Sequence, residues 1–257
     1  MHLVRVSRGS ALETVVFRRY VFEELNEEEP DIAEREAKVL ALLESSEVVT
    51  PRLRAVDLTG DGAGCPALVM TRLPGRLEWS PRDLEPWLAR LADVLPRLHA
   101  TPITGADGVQ PFGPYEPSCW DPPPWMRRPR LWEQALEVFH GPRLDSDEAF
   151  IHRDYHPGNV LWRRGDVSGV VDWQSASIGP RAVDVVHCRA NLAGRFGREV
   201  ADRFLDLWQE RTGSEFHPWA EIVMLVDIFD WYPNKQAEPI LQDLEDLLEQ
   251  RLAELRG

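Results

Sequence analysis

Lysine is nearly missing from this chain. Of 257 residues only Lys38 and Lys235 are lysine, and the rest of the 29 basic residues are arginine. Away from those two positions, a fixed positive charge must be a guanidinium. Cysteine is scarce as well. Cys65, Cys119 and Cys188 are far apart, odd in number and without CxxC spacing, which argues against a disulfide framework or a structural zinc site and fits a reducing compartment. No run of about 18 apolar residues occurs, so no membrane span is expected. The N-terminal MHLVRVSRGS lacks the apolar core of a signal peptide, and the expected location is the cytoplasm. Net positive charge is also lacking. The formal net charge of −14 argues against nucleic acid as a partner, while acidity alone is ordinary for solubility. There is no internal repeat and no low-complexity segment.

The rest of the chain reads as a globular protein, with 43% hydrophobic and 28% charged residues. Leu3–Ser7 and Glu13–Tyr20 have the Val, Phe and Tyr density of strands, separated by the turn-like Arg8-Gly9-Ser10. A helix is predicted after Pro30-Asp31, with acids at its head and Ile32, Leu40 and Leu43 at helical spacing. Pro51–Val56 and Ala67–Thr71 read as further strands, and Leu73-Pro74-Gly75 breaks the chain. Beyond it the pattern is mostly helical: Asp83–His99, Leu131–Phe139, Arg181–Leu192, Arg198–Thr212, Pro218–Trp231 and Pro239–Leu255. Residues 101–129 are rich in Pro, Gly and Trp and read as an irregular lid or substrate loop. A short hairpin around Arg164-Gly165-Asp166 interrupts the helices, with arms Asn159–Arg163 and Ser168–Trp173. These elements divide the chain into a β-rich part, 1–74, and a larger helical part, 75–257, with a pocket expected between them.

The stretch leading into the hairpin, IHRDYHPGNVLW over 151–162, gathers a carboxylate, an amide and two imidazoles around a Pro-Gly bend. Asp154 and Asn159 have the spacing D-x-x-x-x-N, and Asp172 closes the return arm. A hairpin leaving Asn159 and returning to Asp172 sets an amide and a carboxylate side by side, oxygen donors suited to Mg²⁺. Asp154, on the loop before it, is placed to orient a substrate hydroxyl and accept its proton. A zinc site of His152, Asp154 and His156 is the competing reading, but HRDYH is no zincin signature and Pro157-Gly158 prevents the helix that would align both imidazoles.

HRDYHPGNVLW followed by VVDWQ resembles the catalytic loop and metal-binding segment of the protein-kinase-like fold. The His-Pro-Gly-Asn insert, the DWQ ending and Gly179–Val186 (GPRAVDVV) are similar to its small-molecule branch, the aminoglycoside phosphotransferase and choline kinase group. The resemblance covers most of the chain in element order and is specific over about 150–187. It implies an α+β fold with two lobes, a small β-rich N-terminal lobe that is expected to be truncated and a larger helical C-terminal lobe. It also implies a Mg²⁺-dependent kinase that moves the terminal phosphate of ATP or GTP to a hydroxyl of a small molecule, aminoglycoside-like or an amino alcohol, with no membrane partner and as a monomer or dimer. By the same resemblance Asp184 braces the catalytic loop and His152 is a packed loop residue, while His156 lies near the phosphates or supports the turn. Leu161 and the stretch Met70-Thr71-Arg72-Leu73 line the nucleotide, the latter as a hinge offering backbone groups to the purine.

The family's phosphate-binding cation cannot be lysine here. Arg18 or Arg19 must serve, and alternation along the strand favours Arg18, which shares a face with Val16. Its helix partner is Glu36, with Glu34 the fallback. Arg8-Gly9-Ser10 is a poor phosphate loop, which keeps a degenerate, non-catalytic nucleotide- or ligand-binding member as the alternative. No A-P-E follows Asp172, and the short segment to Asp184 has no room for a regulated activation loop, which argues against a protein kinase. From Glu221 onward nine acids stand against Lys235, Arg251 and Arg256, a surplus suited to a cationic acceptor or to a solvated helix face.

Overall fold

The structure, a computed structural model, describes residues 1–8, 11–22, 29–104, 106, 108–117, 120–142, 148–231 and 238–256. Arg8-Gly9-Ser10 lies largely outside the described residues, as do Cys119 and Lys235.

Strand β1 (His2–Arg8) pairs antiparallel with β2 (Ala11–Arg19) along its whole length. β4 (Ala67–Thr71) pairs with β2 on one side and β3 (Leu53–Asp57) on the other, giving a four-stranded antiparallel sheet in the order β1-β2-β4-β3. The β-branched and aromatic run TVVF suits β2, and the helix that follows supplies the partner of its Arg18. That helix, α1 (Ile32–Leu42), carries one acid in its first turn and buries Ile32, Ala33, Glu36, Val39 and Leu40. Four of these are apolar at helical spacing. Glu36 is the exception, and such a buried carboxylate demands a partner.

The chain leaves β4 through Leu73–Arg76, and this linker is fastened to the hairpin of β7 (Val160–Arg163) and β8 (Asp166–Val170). Arg76 and Trp162 exchange backbone hydrogen bonds of 3.0 and 2.8 Å, and Ser168 donates its hydroxyl to the Pro74 carbonyl at 2.6 Å. Gly75 has φ +122°, and a Cβ there would lie 2.3 Å from Ser168 Oγ and 2.8 Å from the Trp162 carbonyl oxygen. Only glycine fits both the backbone and the space.

Helix α2 (Leu84–His99) follows. Pro86 sits in its first turn, where no N–H is needed, and Pro96 in its last. β5 (Gln110–Pro111), β9 (Ser177–Pro180) and β6 (Glu148–Ile151) form a three-stranded sheet in that order. Residues 101–129 are therefore not wholly irregular, since β5 anchors their middle to β9. The remaining helices are α3 (Pro129–Phe139), α4 (Ala182–Phe196), α5 (Arg198–Thr212), α6 (Pro218–Trp231) and α7 (Glu238–Arg256). One apolar core joins α1 and β4 to α2, α4 and α5 through Leu40, Leu68, Leu91, Phe150, Trp173 and Phe204. A second holds α3, α4, α6 and α7 together around Trp132, Val186, Leu225 and Leu248. Trp162 and Trp173 are both buried, with Trp162 stacked on Trp87 at 5.8 Å.

Candidate active site

β6 delivers the chain to the loop 152–156, and a single turn of 3₁₀-helix (Pro157–Asn159) passes it to β7. Asp184, in the first turn of α4 and completely buried, holds this loop. One of its oxygens accepts the Arg153 N–H at 2.7 Å, and the other accepts the His152 N–H at 3.0 Å and faces His99 Nε2 at 3.0 Å. These bonds fix Arg153 at φ +69°, a backbone conformation uncommon outside glycine. His152 is buried. Its Nε2 donates to the Val171 carbonyl at 3.0 Å and its Nδ1 accepts the Asp154 N–H at 3.3 Å. It points away from the Asp154 carboxylate, so the zinc set of His152, Asp154 and His156 does not form.

The Asp154 carboxylate receives donors from three directions. Asn159 Nδ2 donates to Oδ2 at 2.8 Å, His187 Nε2 lies 2.8 Å from Oδ1, and His156 Nε2 lies 3.5 Å from the same oxygen. Burial alone would raise the carboxyl, but the hydrogen bonds and charges of His156 and His187 outweigh it and hold Asp154 well below the usual carboxylate range. Ligand atoms of Asp154, His156 and His187 lie within 4.8 Å of one another, which is metal-site spacing. The tautomer argues otherwise. Gly158 N–H donates to His156 Nδ1 at 3.0 Å, so the proton of a neutral ring sits on Nε2, the atom a metal would need bare. A Cβ at Gly158 would fall 2.5 Å from His156 Cε1, so a larger residue there would push the imidazole aside.

β8 ends at Val170, so Asp172 lies beyond the return strand rather than on it. Pairing extends one step further, through Val171 N–H to the Asn159 carbonyl at 2.9 Å, before Asp172 turns to φ +70°. The turn aims its carboxylate at β2, where Arg18 Nη1 donates to Oδ1 at 2.7 Å. The same Nη1 reaches Glu36 Oε1 at 3.0 Å, and Nη2 reaches Gln174 Oε1 at 2.5 Å. Tyr20, one residue further along the same face of the chain, donates to Glu36 Oε2. Burial would lower the Arg18 guanidinium, but Glu36 and Asp172 more than offset that and keep it charged. Burial also raises the Glu36 carboxyl, against the pull of Arg18 and the Tyr20 hydroxyl. Arg18 and Glu36 are thus the pair that forms. Arg19 points elsewhere on the strand, and Glu34 makes a surface pair with Lys38 at 2.7 Å.

Asn159 and Asp172 each carry a side-chain oxygen that the bonds named above do not use. The Asn159 amide nitrogen is turned to Asp154, both to its side chain and to its backbone carbonyl at 2.8 Å, which leaves Oδ1 to face a cation. Asp172 is partly exposed and Arg18 occupies only its Oδ1. Hard oxygen donors of this kind fit Mg²⁺.

A family model described as the phosphotransferase enzyme family matches residues 4–219. The chain belongs to that family. Among curated proteins it is similar to an N-acetylmuramate/N-acetylglucosamine kinase of Neisseria meningitidis serogroup B, 27% identical over 106 residues, 37% of this chain. The match spans 31% of that relative's length. Among solved structures it is similar to a thermostable mutant of aminoglycoside phosphotransferase APH(4)-Ia in ternary complex with ADP and hygromycin B. That likeness has a TM-score of 0.65 and 15% identity, and covers 100% of this chain and 95% of the other. It is also similar to the GDP and kanamycin complex of APH(2")-IIIa, with a TM-score of 0.63 and 17% identity, covering 98% and 93%. The fold is the two-lobed, protein-kinase-like fold of these enzymes, and the chain is a phosphotransferase by family.

In this phosphotransferase the remaining expectations meet the structure unevenly. Met70 packs in the core, and Thr71 belongs to β4 with its N–H on the Arg52 carbonyl at 2.9 Å and its hydroxyl taken by Arg52 N–H at 2.8 Å. The Thr71 N–H and hydroxyl are therefore already engaged within the sheet. Leu161 stands half-buried on β7, with Leu73 packed over the neighbouring Gly169. The C-terminal acids are neither an open cation-binding surface nor a plain solvated face. Glu221 is buried between Arg189 and Arg251, and Arg128 engages Glu245, Asp246 and Glu249. Sequence reasoning missed His187, Gln174 and Tyr20. Each had a signal, because His187 lies one helical turn from Asp184, Gln174 closes the DWQ segment, and Tyr20 is two residues from Arg18 on its strand face.

Proposed function

We propose that this phosphotransferase moves the terminal phosphate of ATP or GTP to a hydroxyl of a small molecule, with residues 1–74 holding the nucleotide and 75–257 holding the acceptor and the catalytic loop. The observation that carries the reading is the convergence of two clusters from distant parts of the chain. Arg18 and Glu36 meet Asp172 on one side, and Asp154 is joined to Asn159 on the other. Arg18, braced by Glu36, supplies the cation over the phosphates, where its planar fork suits phosphate oxygens. Asn159 Oδ1 and Asp172 would hold Mg²⁺, which when bound neutralises charge on the transferring phosphate. Asp154, kept ionised by its donors, orients the acceptor hydroxyl and takes its proton. Leu161, with the backbone beyond Thr71, borders the base. Transfer of this kind depends mainly on position and charge.

The acceptor class is proposed from the relatives, whose names include hexosamine derivatives and aminoglycosides. An amino sugar, aminoglycoside or amino alcohol fits both. The C-terminal acids do not support a cationic acceptor, since arginines already engage most of those described. Among the described residues Cys65 and the buried Cys188 are free thiols, in line with the proposed cytoplasmic setting, and no helix there is long and apolar enough to cross a membrane. The test is nucleotide consumption coupled to a panel of hydroxyl acceptors that includes N-acetylglucosamine and kanamycin. Transfer should appear with at least one acceptor and fall by about 100-fold or more in Asp154→Asn. An Asp154→Asn variant as active as the parent would remove Asp154 from the reaction.

A further inference from the structure

The pairing of His187 with Asp154 belongs to no part of the motif that identifies the loop. It comes from α4, 33 residues away in sequence, where nothing about the HRDYHPGN segment requires an imidazole. Its Nε2 lies 2.8 Å from Asp154 Oδ1, as near as the Asn159 amide is to Oδ2 and nearer than His156 at 3.5 Å. His187 is partly exposed, with 21% of its side chain open, so it borders the cleft rather than the core.

A carboxylate has about four acceptor positions, two on each oxygen. On Asp154, His187 and His156 both address Oδ1, while Asn159 takes one position on Oδ2. The two close approaches are His187 on Oδ1 and Asn159 on Oδ2, while His156 stands further off at 3.5 Å. From this we infer that His187 is a positioning residue: with Asn159 it holds the carboxylate from both oxygens and fixes its rotation for the acceptor hydroxyl. The inference deepens the reading of Asp154 as the acceptor-orienting group and rests on it. The proton balance is simple. The acceptor O–H bond breaks, its proton passes to the Asp154 carboxylate, and the acceptor oxygen forms the new bond to phosphorus as the nucleoside diphosphate leaves. His187 neither gains nor loses a proton in that step, and its part is geometric. In a transfer that depends on alignment more than on basicity, a carboxylate whose donors hold it in one rotamer loses little by being a weaker base.

The same three side chains would form a two-histidine, one-carboxylate metal set if both imidazoles presented bare Nε2 atoms. The Gly158 N–H on His156 Nδ1 opposes that arrangement and favours a donor role toward Asp154.

The test uses the full chain and two variants at one position. His187→Phe keeps the ring volume and removes the donor. His187→Gln keeps an amide N–H of similar reach. Rates are measured for Mg-ATP and Mg-GTP hydrolysis without acceptor and for transfer to N-acetylglucosamine and kanamycin, with Asp154→Asn alongside. His187→Phe should lower kcat about 10- to 100-fold with nucleotide KM unchanged, and His187→Gln should recover to within about threefold of the parent. A His187→Phe variant with the parent's kcat, or a His187→Gln variant as impaired as His187→Phe, overturns the positioning role. If that happens while Asp154→Asn is inactive, only the role of His187 falls. If Asp154→Asn keeps the parent's rate, or the parent turns over no probe, the reading of Asp154 falls and the role of His187 with it. A second measurement needs no variant. Nitrogen NMR of the parent should find the His187 Nε2 protonated, and a bare Nε2 beside Asp154 overturns the hydrogen bond itself.

Discussion

At the scale of single residues, the site is held by side chains whose partners lie far off in the sequence. Asp154 shows the consequence most directly. Its carboxyl is depressed because His156 and His187 outweigh the effect of burial. A depressed carboxyl contributes stability that is fully present above the ordinary carboxylate range, about pH 4, and is lost as pH falls through its lower folded value. Denaturant titrations below about pH 4 should therefore show the stability difference between the parent and Asp154→Asn shifting against the parent as the pH falls. A difference that does not move with pH in that acid range would contradict the assigned direction. Much at this scale was legible in advance. Asp154, Asn159 and Asp172 are marked by spacing, Asp184 by the family resemblance, and Arg18 by that resemblance together with strand alternation once lysine is absent. Spacing within one segment could not show His187, because its partner is met only when α4 is docked. Nor could it show that Thr71 has its N–H and hydroxyl turned to Arg52, a matter of strand register.

At the scale of elements, two fastenings deserve testing. The first is the linker onto the β7–β8 hairpin at Gly75. Its positive φ and the 2.3 Å approach to Ser168 Oγ mean that Gly75→Ala must strain the backbone and push the hairpin aside. We expect a loss of about 2 kcal/mol or more in urea unfolding, together with weaker nucleotide binding as the sheet and the catalytic loop move apart. The second is Glu221, buried on α6 between Arg189 of α4 and Arg251 of α7. Glu221→Ala would leave two guanidiniums without their buried counter-charge, and a loss of about 3–5 kcal/mol is expected from the denaturation midpoint. A loss under about 1 kcal/mol would mean that these charges reach water. The helices themselves were legible, α5 and α6 with their observed ends, because apolar spacing and Pro or Gly punctuation mark them. The short strands β5, β6 and β9 were not, since they run two to four residues and gain their pairing from one another rather than from any local pattern.

At the scale of the whole molecule, the nucleotide is proposed to lie between a sheet that carries Arg18 and a helical body that carries Asp154 and Asn159, and Asp172 is the residue both sides share. It follows the hairpin of the helical body, yet its carboxylate is bonded to the sheet. The fold class and the family were readable from the hairpin motifs, and the family match over residues 4–219 agrees. The acceptor was not readable, because the residues that would choose it lie on loops and helices with no recurrent pattern. The central claim is that Asn159 and Asp172 hold Mg²⁺ for a nucleotide gripped by Arg18. Isothermal titration of the parent and of Asp172→Ala with Mg-ATP and Mg-GTP tests it most directly. The account predicts binding of at least one Mg-nucleotide by the parent and its loss in Asp172→Ala. Unchanged Mg-nucleotide affinity in the variant would contradict it.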